Sequence, residues 1–450
     1  MSQGANAVHY QLRSAMEDYI KSQYFGKSPL LLSALNDKLD EEGILYRKPF
    51  IESSPAYTTA PNGIAKSSLP SWMKEYFGEL SAADLGVFTS PYSHQIEALE
   101  SASAGEDVFV ATGTGSGKTE CFMWPLMAKL AEEARNRPDD WSLRGVRVMI
   151  MYPMNALVSD QLSRLRRLIG DNDRRFVRIF RKTCGEKSRR PQFGMYTGRT
   201  PYPGPESTTS KDRQLKKTYA KYMQAEDDAA KKYLSKLIEQ GRLPAKENFE
   251  EFLDKLGRGD HTPNPEDAEL VTRFEMQNVC PDILITNYSM LEYMLLRPIE
   301  RNIWDETRIW LENNPQNKLL FIIDEAHMYR GSAGGEVSYL LRRLFNRLGI
   351  GRDRIQFVLT TASMPDRGPE DDEKIQRFAN ELTACDSRKQ FVYLKGCKEK
   401  MEISGAKRIP PESFLNSTPD EFESGNEQSL SALNKFWAYI WNRGNQCRVP

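Results

Sequence analysis

Residues 107–120 read Asp-Val-Phe-Val-Ala-Thr-Gly-Thr-Gly-Ser-Gly-Lys-Thr-Glu, and the reading of this stretch decides the fold. Val108–Ala111 is a short apolar run, the mark of a buried strand. Glycines follow at 113, 115 and 117, then Lys118 and Thr119, and residues 121–130 carry apolar side chains at helical spacing. Strand, Gly-rich turn, Lys-Thr and helix, in that order, make a phosphate-binding loop. Backbone without Cβ atoms wraps an anion with its N–H groups, and the helix N-terminus adds partial positive charge. The loop residues Thr114, Gly115, Ser116, Gly117, Lys118 and Thr119 are therefore nucleotide-binding candidates. Lys118 reaches for the β and γ phosphates, and the Thr119 hydroxyl is a ligand for Mg²⁺. One departure stands out: Thr112 occupies the place of the first glycine in the strict pattern.

Upstream, residues 91–99 read Pro-Tyr-Ser-His-Gln-Ile-Glu-Ala-Leu. A glutamine offers one acceptor and two donors, which matches the N6 and N7 edge of adenine. A glutamine on an amphipathic helix is ordinarily solvated. Its place one helix ahead of a phosphate loop assigns Gln95 to the base, with Tyr92 beside base or ribose.

Downstream the same unit repeats: an apolar strand, polar residues at its end, then a helix. The near-continuous apolar run 146–152 reads as a parallel strand covered on both faces. It delivers Pro153, Asn155, Ser159 and Gln161 to the carboxyl end of a sheet, where doubly wound folds bind ligands. Residues 194–199 end in Gly198 and Arg199, and residues 281–291 place Thr286 and Asn287 after another strand. Residues 319–327, Leu-Leu-Phe-Ile-Ile-Asp-Glu-Ala-His, bring two adjacent carboxylates to a strand end. Asp324 suits Mg²⁺, and Glu325 suits a water molecule aligned on the γ-phosphate. A last strand, 355–363, closes on Thr361-Ala362-Ser363, hydroxyls placed to sense the acidic strand end.

Taken in order, Gln95, 112–119, 152–161, 197–199, 281–288, Asp324 to His327 and 361–363 resemble the Q motif and motifs I, Ia, Ib, II and III of the superfamily 2 DEAD/DEAH-box helicases. The likeness covers roughly residues 85–365, with an insertion. Phrases such as TGTGSGKTE, YPMNALVSDQ and DEAHMYRGSAGGEVSYLLRRL are similar to large prokaryotic DEAH-box helicases of the mitomycin-repair type and of anti-phage defence systems, DISARM and Druantia among them. The resemblance implies an α/β, RecA-like P-loop domain with a parallel sheet, plus an N-terminal helical extension and a helical insertion. It implies ATP and Mg²⁺ as cofactors, with catalytic roles for Lys118, Asp324 and Glu325 and a nucleotide contact from His327. Pro153, Asn155, Gln161, Gly198, Arg199, Thr286 and Asn287 would line a nucleic-acid strand, single-stranded DNA foremost, and Thr361 and Ser363 would couple the two activities.

The expected domains are an N-terminal accessory segment, 1–84; the ATP-binding domain, 85–202 and 276–366; a helical insertion, 203–275; and a C-terminal appendage, 367–450, with an aromatic-rich helix at 430–441. Residues 164–221 hold 17 Lys or Arg against 5 Asp or Glu. Such a belt is either a phosphate-binding footprint or a solvated helix face. Nothing in 366–450 resembles the second RecA-like domain that would supply an arginine finger, worth several orders of magnitude in rate. Three readings compete: part of a longer helicase, half of a split one with its second domain or other defence-system subunits in trans, or a nucleotide-gated scaffold that hydrolyses little.

The chain has 62 basic and 62 acidic residues, so net charge points to no partner. Six scattered cysteines without a Cys-x-x-Cys pair exclude a disulfide framework and a zinc ribbon. No apolar run spans a bilayer, and the expectation is a soluble cytoplasmic protein with no membrane partner.

Overall fold

The computed structural model describes residues 5–23, 28–47, 56–60, 63–113, 115–202, 210–223, 228–362, 369–385 and 390–398. Two units emerge, residues 57–398 and residues 1–56 with 399–450. The helix expected at 430–441 lies outside the described residues.

The larger unit is built on an eight-stranded, all-parallel sheet. Its strands are β1 (Val108–Ala111), β2 (Val148–Tyr152), β3 (Phe193–Met195), β4 (Glu269–Leu270), β5 (Ile283–Asn287), β6 (Leu319–Ile323), β7 (Ile355–Thr361) and β8 (Val392–Lys395), in the order β4-β3-β5-β2-β6-β7-β1-β8. Helices cover both faces, which is why the central strands read as unbroken apolar runs. Along β2, Val148, Ile150 and Tyr152 enter one core layer with Phe122, Trp124 and Leu126. Met149 and Met151 enter the other, with Trp304, Trp310 and Leu341. The two-residue alternation of a strand therefore feeds two cores at once.

Register places the motif-bearing strand ends side by side. Ala111 pairs with Thr361, Ile323 with Leu359, and Met151 with Ile323. The carboxyl ends of β1, β7, β6 and β2 thus form one rim. Asp107, at the opposite end of β1, is fully buried. It accepts the Phe357 N–H at 2.9 Å and pairs with Arg352 at 2.6 Å, fixing β1 against β7.

Three expected boundaries move. Helix Ser71–Ala82, assigned to an accessory segment, buries Tyr76, Phe77 and Leu80 in the first core layer beside Trp124. β8, assigned to a C-terminal appendage, pairs in parallel with β1 from Val108↔Val392 to Ala111↔Lys395, so the core runs to Lys398. The end of the insertion, Glu269–Leu270, is the edge strand next to β3. Within the insertion lie helices Ser210–Met223 and Asp228–Glu239. Leu215 and Tyr219 of the first pack on a small core of Phe252, Leu253, Leu256 and Val271. Ahead of β2, helix Pro138–Ser142 buries Trp141 against Phe180.

In the smaller unit, Arg13 ties helix Ala5–Gln23 to the turn beyond helix Pro29–Leu39. It pairs with Glu17 at 2.7 Å and with Asp40, and lies 4.0 Å over the Tyr46 ring. Among the described residues no helix is long and apolar enough to cross a membrane.

Candidate active site

The loop between β1 and helix Glu120–Asn136 is shaped by two glycines and braced from one side. Gly115 and Gly117 have φ of +76° and +69°, the left-handed region that side chains avoid. A Cβ on Gly117 would also sit 2.2 Å from Gln95 Nε2. Thr112 needs no such freedom: it has no positive φ, and its hydroxyl meets that of Ser116 at 2.6 Å across the loop. The departure from the strict glycine pattern is thereby explained. Thr114 lies outside the described residues.

The brace is the start of helix Ser93–Ser103. Gln95 donates from Nε2 to the Gly117 carbonyl at 3.1 Å, and its Oε1 accepts the Tyr92 N–H at 2.9 Å. Beside it, buried His94 lies 2.9 Å from the Ser116 carbonyl through Nε2, which donates. Burial pushes its pKa below the ordinary histidine value, although this bond works the other way. The Tyr92 ring stacks on His94 at 5.5 Å. Gln95 is 1% exposed, so one side chain holds both its own helix start and the phosphate loop.

The opposite wall is the β6 end. Asp324 is buried, and its Oδ1 accepts from the Thr360 hydroxyl and from the Glu325 N–H at 2.9 Å. Burial raises its pKa above the usual carboxylate value, the Thr360 bond opposes this, and the neighbouring Glu325 charge adds to it. Glu325 takes a left-handed φ of +51°, a conformation that bulky residues adopt only where surrounding structure imposes it. That turn sends its carboxylate toward the loop, where Oε1 lies 3.7 Å from Lys118 Nζ. Its Oε2 lies 3.2 Å from His327 Nδ1, and the same nitrogen meets the Thr361 hydroxyl at 3.0 Å. β1, β6 and β7 are thus joined by one polar chain, Lys118–Glu325–His327–Thr361. Ser363 lies outside the described residues.

Residues expected along a nucleic-acid strand divide. Gly198 and Arg199 are exposed, Pro153 and Asn287 half-exposed. Asn287 caps helix Tyr288–Leu296 through the Met290 N–H at 2.8 Å. Asn155 begins helix Asn155–Leu168. Two side chains are not available to a strand. Thr286 is fully buried and donates to the Tyr196 carbonyl at 2.8 Å. Gln161 is turned inward, with Nε2 3.4 Å from Thr119 Oγ1, and belongs to the loop's surroundings.

The basic belt is largely an internal device. Arg166 grips Glu269 with two nitrogens at 2.7 Å. Arg174 pairs with Glu247 at 2.6 Å and Glu266 at 2.7 Å, and Arg181 takes the other Glu266 oxygen at 2.7 Å. Arg189 holds Asp282 with two bonds of 2.6 Å, and Arg190 is buried. The belt fastens the acidic end of the insertion to helices Asn155–Leu168 and Arg175–Cys184. Only part of it, Arg167, Arg178 and Arg199 among them, is exposed with no ion pair among the described residues.

Sequence reasoning missed three neighbours of the site. His94 and Thr360 each adjoin a residue that it singled out. Tyr57, whose hydroxyl accepts the Gly113 N–H at 3.0 Å, carries no signal in the chain.

A phosphate loop at the end of β1 facing an Asp–Glu pair at the end of β6, with β7 between them, defines a P-loop nucleotide-binding domain of RecA-like fold. The comparisons narrow this class. Residues 92–201 match the DEAD/DEAH box helicase family profile. Druantia protein DruE of Escherichia coli (strain UMEA 4076-1) is 38% identical over 426 residues, 88% of this chain and 22% of that protein. The uncharacterized ATP-dependent helicase YprA of Bacillus subtilis (strain 168) is 31% identical over 80 residues, 18% of this chain and 9% of that one. A solved structure of the DUF1998 helicase MrfA bound to DNA covers 81% of this chain and 34% of its own at 17% identity, with a TM-score of 0.40. The chain carries a superfamily 2 DEAD/DEAH-box helicase domain. It spans 22% of the length of DruE.

Proposed function

We propose that this chain is the first motor domain of an ATP-dependent DNA helicase or translocase. The observation that carries the reading is the convergence of Lys118 and Glu325 at 3.7 Å from opposite walls of one cleft. The residues present fit ATP with Mg²⁺. Glycine-shaped loop backbone and an ammonium suit phosphates, and the Thr119 hydroxyl and Asp324 carboxylate are the hard oxygens that Mg²⁺ prefers. Bound Mg²⁺ neutralises charge on the phosphates. Lys118 and the loop amides of residues 115–119 hold the β and γ phosphates. Glu325 orients the attacking water, and His327 links it to Thr361 and so to β7. Gln95, beside Tyr92, keeps one N–H and one lone pair for adenine after bracing the loop. Pro153, Asn155, Gly198, Arg199 and Asn287 present the strand-facing rim.

A second RecA-like domain, in cis or in trans, completes the cleft and supplies the arginine finger. Similarity to a Druantia protein over most of the chain supports a part in anti-phage defence, alongside other subunits of such a system.

The test is ATP binding and DNA-stimulated hydrolysis, in the wild type and in Glu325→Gln. We expect the variant to keep nucleotide affinity and to lose turnover by a factor of about 10²–10³, the scale of a positioned base. Unchanged turnover would remove Glu325 from the chemistry. Equal competition by RNA at matched salt would remove the preference for DNA.

A further inference from the structure

The phosphate loop is braced on a second side by a segment far upstream. Residues 57–60 run as a strap between two pieces of backbone. On one side Tyr57 forms an antiparallel bridge with Lys398, and the Thr58 N–H donates to the Cys397 carbonyl at 2.8 Å. On the other, Thr59 bridges Tyr92, the Ser93 N–H donates to the Thr58 carbonyl at 3.0 Å, and the Ala60 N–H donates to the Pro91 carbonyl at 2.8 Å. Held on both edges, the strap inserts the Tyr57 side chain, 7% exposed, against the rings of Tyr92 and His94 at 5.6 and 5.5 Å. Its hydroxyl then accepts the Gly113 N–H at 3.0 Å, where β1 turns into the loop.

Two glycines record how closely this contact is fitted. A Cβ on Gly113 would lie 2.9 Å from the Tyr57 hydroxyl and would meet nothing else within 4 Å among the described residues. A Cβ on Gly396 would lie 2.5 Å from Tyr57 Cε1 and 2.8 Å from Thr112 Cγ2. Gly113 has no positive φ, so the tyrosine, not backbone conformation, is what requires a glycine there.

We propose that Tyr57 is a positioning residue of the phosphate loop: its hydroxyl fixes the Gly113 amide and ties the loop to the chain at Cys397 and Lys398, just beyond β8. The loop is thereby pre-formed for phosphate, and Tyr57 links it directly to the chain leaving β8. This inference rests on the nucleotide-binding reading above. Pre-organisation raises apparent affinity because only the competent loop conformation binds.

The experiment is a double-mutant cycle of Tyr57→Phe and Gly113→Ala, read by titration with a fluorescent non-hydrolysable ATP analogue and by hydrogen exchange of the loop without nucleotide. Tyr57→Phe removes one hydrogen bond and keeps the ring. We expect the analogue Kd to rise about fivefold, with faster exchange at the Gly113 amide. Gly113→Ala in the wild type should weaken binding by a similar factor, because the methyl displaces the hydroxyl. Added to Tyr57→Phe it should cost little more, since the clashing atom is gone. A merely structural tyrosine would lower stability without this non-additivity. Wild-type affinity and wild-type exchange in Tyr57→Phe, or independent effects of the two changes, would overturn the proposal. If Tyr57→Phe unfolds the chain, strong binding by Gly113→Ala alone overturns it equally. If the wild type binds no analogue, the nucleotide reading fails, and the exchange rates still judge the tether.

Discussion

Gly117→Ala tests the geometry of the loop most directly. The new methyl meets two costs. A side chain at φ +69° costs roughly 1 kcal/mol. The Cβ also falls 2.2 Å from Gln95 Nε2, closer than any real contact, and 3.1 Å from Glu120 Oε2, a tight one. Gln95 must swing away and give up its 3.1 Å bond to the Gly117 carbonyl, a further loss of ~1 kcal/mol. Together about 2 kcal/mol against the native loop should raise the Kd for an ATP analogue about thirtyfold. Gly115→Ala is the internal control. Its φ of +76° carries the same conformational cost, but a Cβ there meets nothing within 4 Å among the described residues, so the expected rise is about fivefold. Fluorescence titration of both variants decides the matter. Equal weakening by the two alanines would refute the claim that Gln95 braces the loop. So would full additivity of Gln95→Ala and Gly117→Ala, because the bond removed by the one is already broken in the other.

Two further outcomes are expected from the same contacts. Arg199→Ala should weaken DNA binding and lower the slope of log affinity against log salt by about one unit. Arg181→Ala, which breaks the 2.7 Å pair with Glu266, should lower the melting temperature and leave that slope unchanged; equal slopes for both variants would sink the distinction. Buried His94 has its pKa pushed down. The unfolded chain therefore takes up this proton at a higher pH than the native one, and stability falls as pH drops through the ordinary histidine value of about 6.5. Thermal melts from neutral to mildly acid pH should show a smaller loss for His94→Gln than for the wild type, and identical losses would discount His94 as the titrating group.

Much of the site was legible because its chemistry is local. Loop, Lys118 and Thr119 are contiguous, and the acids Asp324 and Glu325 directly succeed an apolar run whose length marks it as a strand. What escaped depends on which chains meet. The belt of arginines looks like a phosphate footprint until the fold brings Glu247, Glu266 and Glu269 beside it; a one-dimensional charge count does not see carboxylates from the far end of an insertion. Gln161 sits on a helix whose direction the sequence gives, but packing on Thr119 decides which way its amide turns.

By itself, then, the sequence determined the elements and where polar residues fall on them: strands from apolar runs, a loop from its glycines, and Lys118, Asp324 and Glu325 placed after strands. Only the tertiary structure decided adjacency. It set β1 between β7 and β8, so that the core extends to Lys398. It paired Ala111 with Thr361, which brought Thr361 to His327 and Glu325 to Lys118. It also laid Tyr57 against Gly113. The reason is physical. Hydrophobic periodicity is written along the chain and fixes which face of an element is buried, whereas hydrogen bonds between side chains distant in sequence exist only once closure of the sheet has placed their backbones within about 3 Å reach.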